Sequence, residues 1–366
     1  MHLLVSKIGY QISQNSDFDE LKNLLLNYTK RAYLVGGSVR DAFLGIKSKD
    51  YDIEIYDIEP AKFDSLMQEC GAIGVGKSYF VYKLKNYDLS LPRTESKSGF
   101  GHKGFSVKYC NDERLASLRR DFTINSIMVN IFTGEVLDFW GGIADLEAKK
   151  LRITNEKSFS DDSLRVLRGV QFVSRFNLTC DLKSLEIMKA INIDDLSANR
   201  VYMELEKFFV AKFKIQGLNL LKLLNLDKRL FGVEFDEGFT RLINSKICVN
   251  KASFLYYLIN YYHIDGKELI SRLSLPNFYN ICYKHQYFKR VSKFEMMKIA
   301  LDMPLCQWLG LDSKSRIDMA KNLKVYESKF APMIDTSSIK ATGKEYGNKL
   351  KQLKIQAIKS YLNDLN

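Results

Sequence analysis

The segment KDYDIEIYDIE, Lys49 to Glu59, constrains this chain more than any other stretch. Its tyrosines and isoleucines read as a strand, and successive side chains of a strand point to opposite faces. Asp50, Asp52 and Glu54 therefore stack on one side, where like charges repel. Either the strand lies at an edge with this face in water, or something positive sits among the carboxylates. Upstream stands VGGSVRD (35–41), a strand end, a Gly-Gly turn and a helix start. Glycines let a backbone approach a ligand closely, and the first N–H groups of a helix point outward. Gly36 and Gly37 thus suit a phosphate, with Arg40 as a charge-assisted donor in the first turn. Paired carboxylates beside a phosphate cradle are what Mg²⁺-dependent nucleotidyl transfer needs: one ion activates the attacking hydroxyl and another holds the triphosphate. On that reading the missing positive charge is Mg²⁺. On the plainer reading the strand is an exposed edge and the glycines an ordinary turn.

Two further motifs carry charge in suggestive places. SLRRDFTIN (117–125) sets Arg119 and Arg120 before Asp121. Adjacent helical residues face different ways, so the two arginines should have different partners. One suits a triphosphate, and Asp121 suits a helix cap or an arginine. DDSLRVLRGVQF (161–172) reads as a helix with Asp162, Arg165 and Arg168 close to one face. An Asp beside an Arg can read a Watson–Crick edge. The Arg donates to ring N3 of cytosine or N1 of adenine, and the Asp accepts from the exocyclic amino group. Guanine and uracil offer a carbonyl there, and a wrong-sign pairing in a dry site is costly. Such a helix would select CTP and ATP without a nucleic-acid template. The bland alternative is an i, i+3 surface ion pair of little consequence.

Element types change along the chain. Helix-like 17–30, strand 32–35, the glycine turn and its helix, strand 51–56, helix 60–70 and paired strands within 79–91 alternate in the first half. PRTESKSGFGHKG (92–104) reads as a loop and FSVKY as a returning strand. From about 160 onward apolar residues recur at helical spacing, ending in a basic amphipathic stretch at 348–365. The 366 residues, 46% of them hydrophobic, suffice for more than one domain. Net charge is +12, but residues 1–206 sum to −1 and residues 207–366 to +13. A basic half points to a polyanionic partner, nucleic acid foremost. Six cysteines without a CxxC pair suit free thiols in a reducing cytoplasm. With four histidines dispersed, any metal is expected on oxygen ligands. No stretch approaches the roughly 20 apolar residues of a membrane helix, and MHLLVSKIGY lacks a signal-peptide pattern.

YLVGGSVRDAFLG…KDYDIEIY, RRDFTINSI…DFWGGIADLEAKKLR, DDSLRVLRGVQFVSRF and SANRVYMELEKFF (197–209) together resemble, in order and spacing, the bacterial class II tRNA nucleotidyltransferases, or CCA-adding enzymes, and their poly(A) polymerase relatives. The resemblance covers about residues 32–209. It implies an α/β nucleotidyltransferase head of the DNA polymerase beta superfamily over 1–150, a helical neck with the nucleotide-selecting helix over 151–210, and an all-α basic body and tail over 211–366. It further implies that Asp50 and Asp52 bind Mg²⁺ and are catalytic. Gly36, Gly37, Arg40, Arg120, Asp121 and Asn125 would serve nucleotide binding, as would Arg168. Asp162 and Arg165 would act as an amino-acid template for CTP and ATP. The basic tail would hold tRNA through its phosphates, and the 92–104 loop lies where relatives keep a flexible element. Asp88 is a candidate third carboxylate. Asp161 departs from the usual Glu, and Gln171 replaces a basic position one turn past Arg168. Narrower activities on the same fold are CC-adding, A-adding and poly(A) polymerase. Rivals of another kind are a non-catalytic RNA-binding protein and a transferase acting on a small molecule. Intact carboxylates oppose the former and the basic second half opposes the latter.

Overall fold

The computed structural model describes residues 16–76, 80–97, 105–337, 339 and 341–365. The chain forms two compact units, residues 1–201 and 202–366.

The first unit is built on a seven-stranded mixed sheet in the order β3-β4-β5-β2-β1-β8-β9. The strands are β1 (Ala32–Val35), β2 (Tyr51–Ile55), β3 (Ile73–Gly76), β4 (Val81–Leu84), β5 (Tyr87–Ser90), β8 (Met128–Asn130) and β9 (Val136–Leu137). A separate two-stranded ribbon pairs β6 (Arg93–Lys97) with β7 (Phe105–Tyr109). Residues 93–97 are therefore strand, not the loop expected from their polar composition. The five-residue ladder with β7 satisfies the backbone of this polar segment without an apolar period in its sequence. The remainder of the expected loop, 98–104, lies outside the described residues.

Alternation places chemistry on one sheet face and the core on the other. Leu34, Ile53, Ile55, Tyr82, Tyr87 and Leu89 are buried on one side. Helices α1 (Ser16–Leu26) and α3 (Pro60–Glu69) cover it, with Phe18 tilted on Tyr87 and Phe63 edge-on to Tyr82. The opposite face carries Lys83, Asp88, Asp52 and Glu54, aligned by the registers Lys83↔Asp88, Asp88↔Asp52 and Glu54↔Tyr33. β2 is the middle strand of the seven. An exposed-edge explanation of its acidic face therefore fails.

Beyond the sheet, α4 (Glu113–Ser117), α5 (Gly142–Glu147), α6 (Glu156–Ser160) and α7 (Leu164–Phe176) follow, and then α8 (Leu182–Ala190) and α9 (Ala198–Phe209). Phe122 packs edge-on against Phe159 of α6 and Phe172 of α7. The contact seats the neck helices on the RRDFTIN segment.

The second unit is helical. One core gathers Met296, Met297, Trp308 and Ile358. A second cluster stacks Phe209 on Phe254, with Phe231, Phe235 and Phe239 edge-on or tilted around Phe254. The last helix, Gly343–Asp364, carries five lysines. The six cysteines are free thiols. No helix among the described residues is long and apolar enough to cross a membrane.

Candidate active site

Position 36 lies between two charged groups. Gly36 leaves β1 at φ 69°, ψ −133°, a backbone conformation essentially reserved for glycine. A Cβ there would stand 3.4 Å from both Arg120 Nη1 and Asp52 Oδ2. The turn thus brings a carboxylate and a guanidinium together against one glycine. Gly37 opens the short α2 (Gly37–Phe43). Asp52 faces solvent on one side and is walled by protein on the rest. That crowding pushes its carboxyl above the usual range; Asp88 and Glu54 add to the rise, and Arg120 and Arg119 oppose it.

Glu54 is 1% exposed. Arg119 and Arg120 both donate to its Oε1, Arg120 at 3.0 Å, and Tyr56 OH donates to Oε2 at 3.3 Å. Burial works against this charge, but the two guanidiniums outweigh it and hold the carboxyl below its ordinary range. The positive charge missing beside Glu54 is therefore two arginines, not a metal ion. Adjacent arginines share one partner because α4 ends at Ser117 and residues 118–121 form a turn, which frees them from helical divergence.

Asp50 precedes β2 in a bend, one residue short of the strand. Lys83 Nζ stands 3.4 Å from Asp50 Oδ1 and 3.5 Å from Asp88 Oδ1. Asp52, Asp88 and Asp50 thus supply only oxygen donors, the set that a hard divalent cation prefers. No group of three or more His, Cys, Asp or Glu side chains among the described residues closes tightly enough to enclose a metal by itself.

Arg40 is 5% exposed. Its Nη1 donates to Asn125 Oδ1 at 2.7 Å, and its Nε and Nη2 donate to Asp41 Oδ1. The guanidinium lies over the rings of Phe172 and Phe176. Burial pulls its pKa down, with Asp41 opposing. Arg40 therefore ties α2 to α7. Asn125 Nδ2 in turn donates to Asp121 Oδ1 at 2.8 Å, and Arg168 Nε donates to Asp121 Oδ2 at 2.6 Å. Asp121 orients an arginine, one of the two roles its sequence position suggested. Burial raises its pKa, but Arg168, Arg165 and Asn125 more than reverse this, to about 2. A carboxylate depressed on folding contributes stability above its unfolded pKa and loses it as pH falls through the folded value. Asp121 should contribute about 2–3 kcal/mol at neutral pH, disappearing between about pH 4 and pH 2. Denaturant unfolding of wild type and Asp121→Asn over that range should show their stability gap closing as pH drops. A gap independent of pH would remove Asp121 as its source.

Asp162 is not on the face of α7, which begins at Leu164. Its Oδ1 accepts the Leu164 N–H at 3.2 Å, a turn that places it ahead of the helix. Arg200 Nη2 donates to both Asp162 oxygens, at 3.0 and 3.1 Å. Arg165 donates to the carbonyls of Ser158 (2.9 Å) and Arg119 (2.6 Å). The basic position missing at Gln171 has a neighbour one turn on, because Arg175 Nη1 donates to Gln171 Oε1 at 3.1 Å. Sequence reasoning overlooked Glu54 as an arginine holder, Lys83 and Arg200. Only Glu54 had a local signal, its place in the alternating strand.

Residues 32–152 match the family described as the poly(A) polymerase head domain. The Multifunctional CCA protein of Stenotrophomonas maltophilia is 35% identical over 193 residues, 50% of this chain and 46% of that one. The protein of the same name from Xylella fastidiosa is 33% identical over 278 residues, 68% of this chain and 65% of that one. The chain spans about half to two thirds of the length of these curated relatives. The crystal structure of the Bacillus stearothermophilus CCA-adding enzyme in complex with CTP superposes with a TM-score of 0.71 at 21% identity, covering 94% of both chains. At that identity the likeness speaks for the fold.

Proposed function

We propose that the chain, which matches the poly(A) polymerase head domain over residues 32–152 and curated CCA proteins at 33–35% identity, is a class II tRNA nucleotidyltransferase that adds C, C and A, from CTP and ATP, to the 3′ end of tRNA without a nucleic-acid template. The observation that carries the reading is the convergence of Asp52 and Arg120 on Gly36. There a carboxylate, a cation and an open backbone face one small space.

Nucleotidyltransferases of this family use divalent cations; the ion proposed here is Mg²⁺, held by Asp50 and Asp52, with Asp88 in register beside Asp52. These oxygens leave further ligand positions to triphosphate and water, as Mg²⁺ prefers. Bound there, Mg²⁺ would activate the tRNA 3′ hydroxyl for attack on the α-phosphorus and neutralise the departing pyrophosphate. Arg120, aimed by Glu54, donates to the triphosphate, and Gly36 leaves room for it. Most of the protein's contribution is positioning and fixed charge.

Base selection is assigned to Asp162 and Arg165. Their anchors, Arg200 for the first and two backbone carbonyls for the second, fix both before a nucleotide arrives. Asp162 would accept from the amino group of cytosine or adenine, and Arg165 would donate to the neighbouring ring nitrogen. The tRNA would lie along the basic second unit. There a cleft of about 570 Å³ is lined by Lys284, Lys298, Lys351 and Lys354, with Glu295 and Asp302 also on its wall; the four lysines suit phosphates.

The test uses three tRNA transcripts, ending before CCA, after C and after CC. Each is incubated with protein, Mg²⁺ and single or paired nucleotides, and the new 3′ ends are sequenced. CCA on the first transcript, with UTP and GTP refused, is the expected result. Addition of CC alone or A alone would keep the chemistry and assign a narrower enzyme. No addition, with tRNA still bound, would replace the transferase by an RNA-binding protein.

A further inference from the structure

A lysine occupies the carboxylate group that the proposed reaction needs for its metal. Lys83 projects from β4 on the same sheet face as Asp88 and Asp52, through the registers Lys83↔Asp88 and Asp88↔Asp52. Its ammonium stands 3.4 Å from Asp50 and 3.5 Å from Asp88. The other charges of this face are spoken for differently, since Arg119 and Arg120 are bonded to the buried Glu54 further along β2. Among the described residues, Lys83 is the cation that stands within 3.5 Å of both Asp50 and Asp88. Its side chain is 41% exposed and that of Asp50 66%, so the ammonium sits at the rim, on a four-carbon stem with room to turn away.

We propose that Lys83 is the resident counterion of this site, relieving the repulsion among Asp50, Asp52 and Asp88 in the metal-free protein and competing with the divalent cation for Asp50 and Asp88. The proposal rests on the metal assignment made above. A divalent ion arriving at three carboxylates would meet strong attraction. With Lys83 in place it meets two carboxylates already paired, and it must displace a monovalent charge to reach them. The lysine therefore weakens metal binding and tempers the mutual repulsion of the carboxylates. Asp52, which meets Arg120 at Gly36, remains the carboxylate through which a metal first engages.

The probe is Mn²⁺ alone, titrated at low salt into wild type, Lys83→Gln and Lys83→Arg, with free Mn²⁺ followed by its paramagnetic resonance. Lys83→Gln should bind Mn²⁺ about three- to tenfold more tightly, and Lys83→Arg should stay close to wild type. The gain should shrink as salt screens the rim charge. Thermal melts with and without Mn²⁺ give a second readout, in which Lys83→Gln should be stabilised by Mn²⁺ more than wild type is. Unchanged or weaker Mn²⁺ binding by Lys83→Gln overturns the counterion role. Asp52→Ala separates the two levels. If it loses the Mn²⁺ site, the metal assignment stands and only Lys83 is in question. If it binds Mn²⁺ as wild type does, the assignment fails and this inference with it.

Discussion

Replacing Asp52 with alanine should lower the rate of nucleotidyl transfer by about 10³-fold or more while leaving tRNA affinity nearly unchanged. The two halves of that expectation come from separate parts of the chain. Asp52 faces Asp88 across β2 and β5, and its Oδ2 would be 3.4 Å from a Cβ at Gly36. It is the one carboxylate that meets both the glycine turn and the row of acidic side chains. Asp50 is displaced into the bend before the strand, and Glu54 is occupied by Arg119 and Arg120. Removing Asp52 thus removes the oxygen donor for which the site has no replacement. The fold should tolerate the change, because the side chain faces solvent, where substitutions usually stay within about 0.5 kcal/mol. The basic charge proposed to bind tRNA lies in residues 207–366, with a net of +13. Single-turnover extension of a transcript ending in CC, alongside filter binding of the same transcript, measures both halves. Wild-type turnover in Asp52→Ala would end the metal assignment. Lost binding with intact turnover would move the tRNA site into the head.

What the sequence made legible was local. Period-2 alternation gave β2 and the face that carries Asp52 and Glu54, the apolar run AYLV gave β1, and two short β-rich runs gave β4 and β5 as neighbours; Asp50, expected on the same face, lies in the bend before the strand. None of these gave the position of β2 among seven strands, because strand order depends on pairings between distant segments. Arg119 and Arg120 were read as helical neighbours with separate partners, and the turn after Ser117 is what lets them converge on Glu54. Residues 93–97, RTESK, gave no strand signal, since the segment has no apolar period to display. Arg200 lies far along the chain from Asp162. Within SANRVY it reads as an ordinary helix start, and only the folded neck brings it to the carboxylate. The motifs thus named most of the participants, and the long-range contacts decided which carboxylate meets which cation.

Gly142→Ala should cost about 3 kcal/mol or more of stability, and loosen the site with it. A Cβ at this position would fall 2.2 Å from the Thr123 carbonyl oxygen and 2.9 Å from Ile127 Cγ1. The first is backbone and cannot swing aside. Nor can Gly142 retreat easily, because its N–H donates to Asp138 Oδ1 at 2.7 Å, with the Ile143 N–H bonded to Oδ2 of the same carboxylate. Thr123 is fixed in turn: its N–H donates to the Arg152 carbonyl and its hydroxyl to Asp145 Oδ2. Relief must come from moving the Thr123–Asn125 turn, and Asn125 is the link between Arg40 and Asp121. Melting temperature should fall by roughly 6–12 °C for a unit of this size, and transfer activity should fall below the loss that partial unfolding explains. Gly45→Ala is the control, since Gly45 has φ +71° with nothing within 4 Å of its Cβ. It should carry only the left-handed backbone penalty of about 1 kcal/mol. Equal losses in the two variants would mean that close packing of α5 on Thr123 is not what Gly142 provides. A larger loss in Gly142→Ala, with weakened nucleotide binding in the surviving folded fraction, would tie that packing to the Arg40–Asn125–Asp121 chain beneath the site.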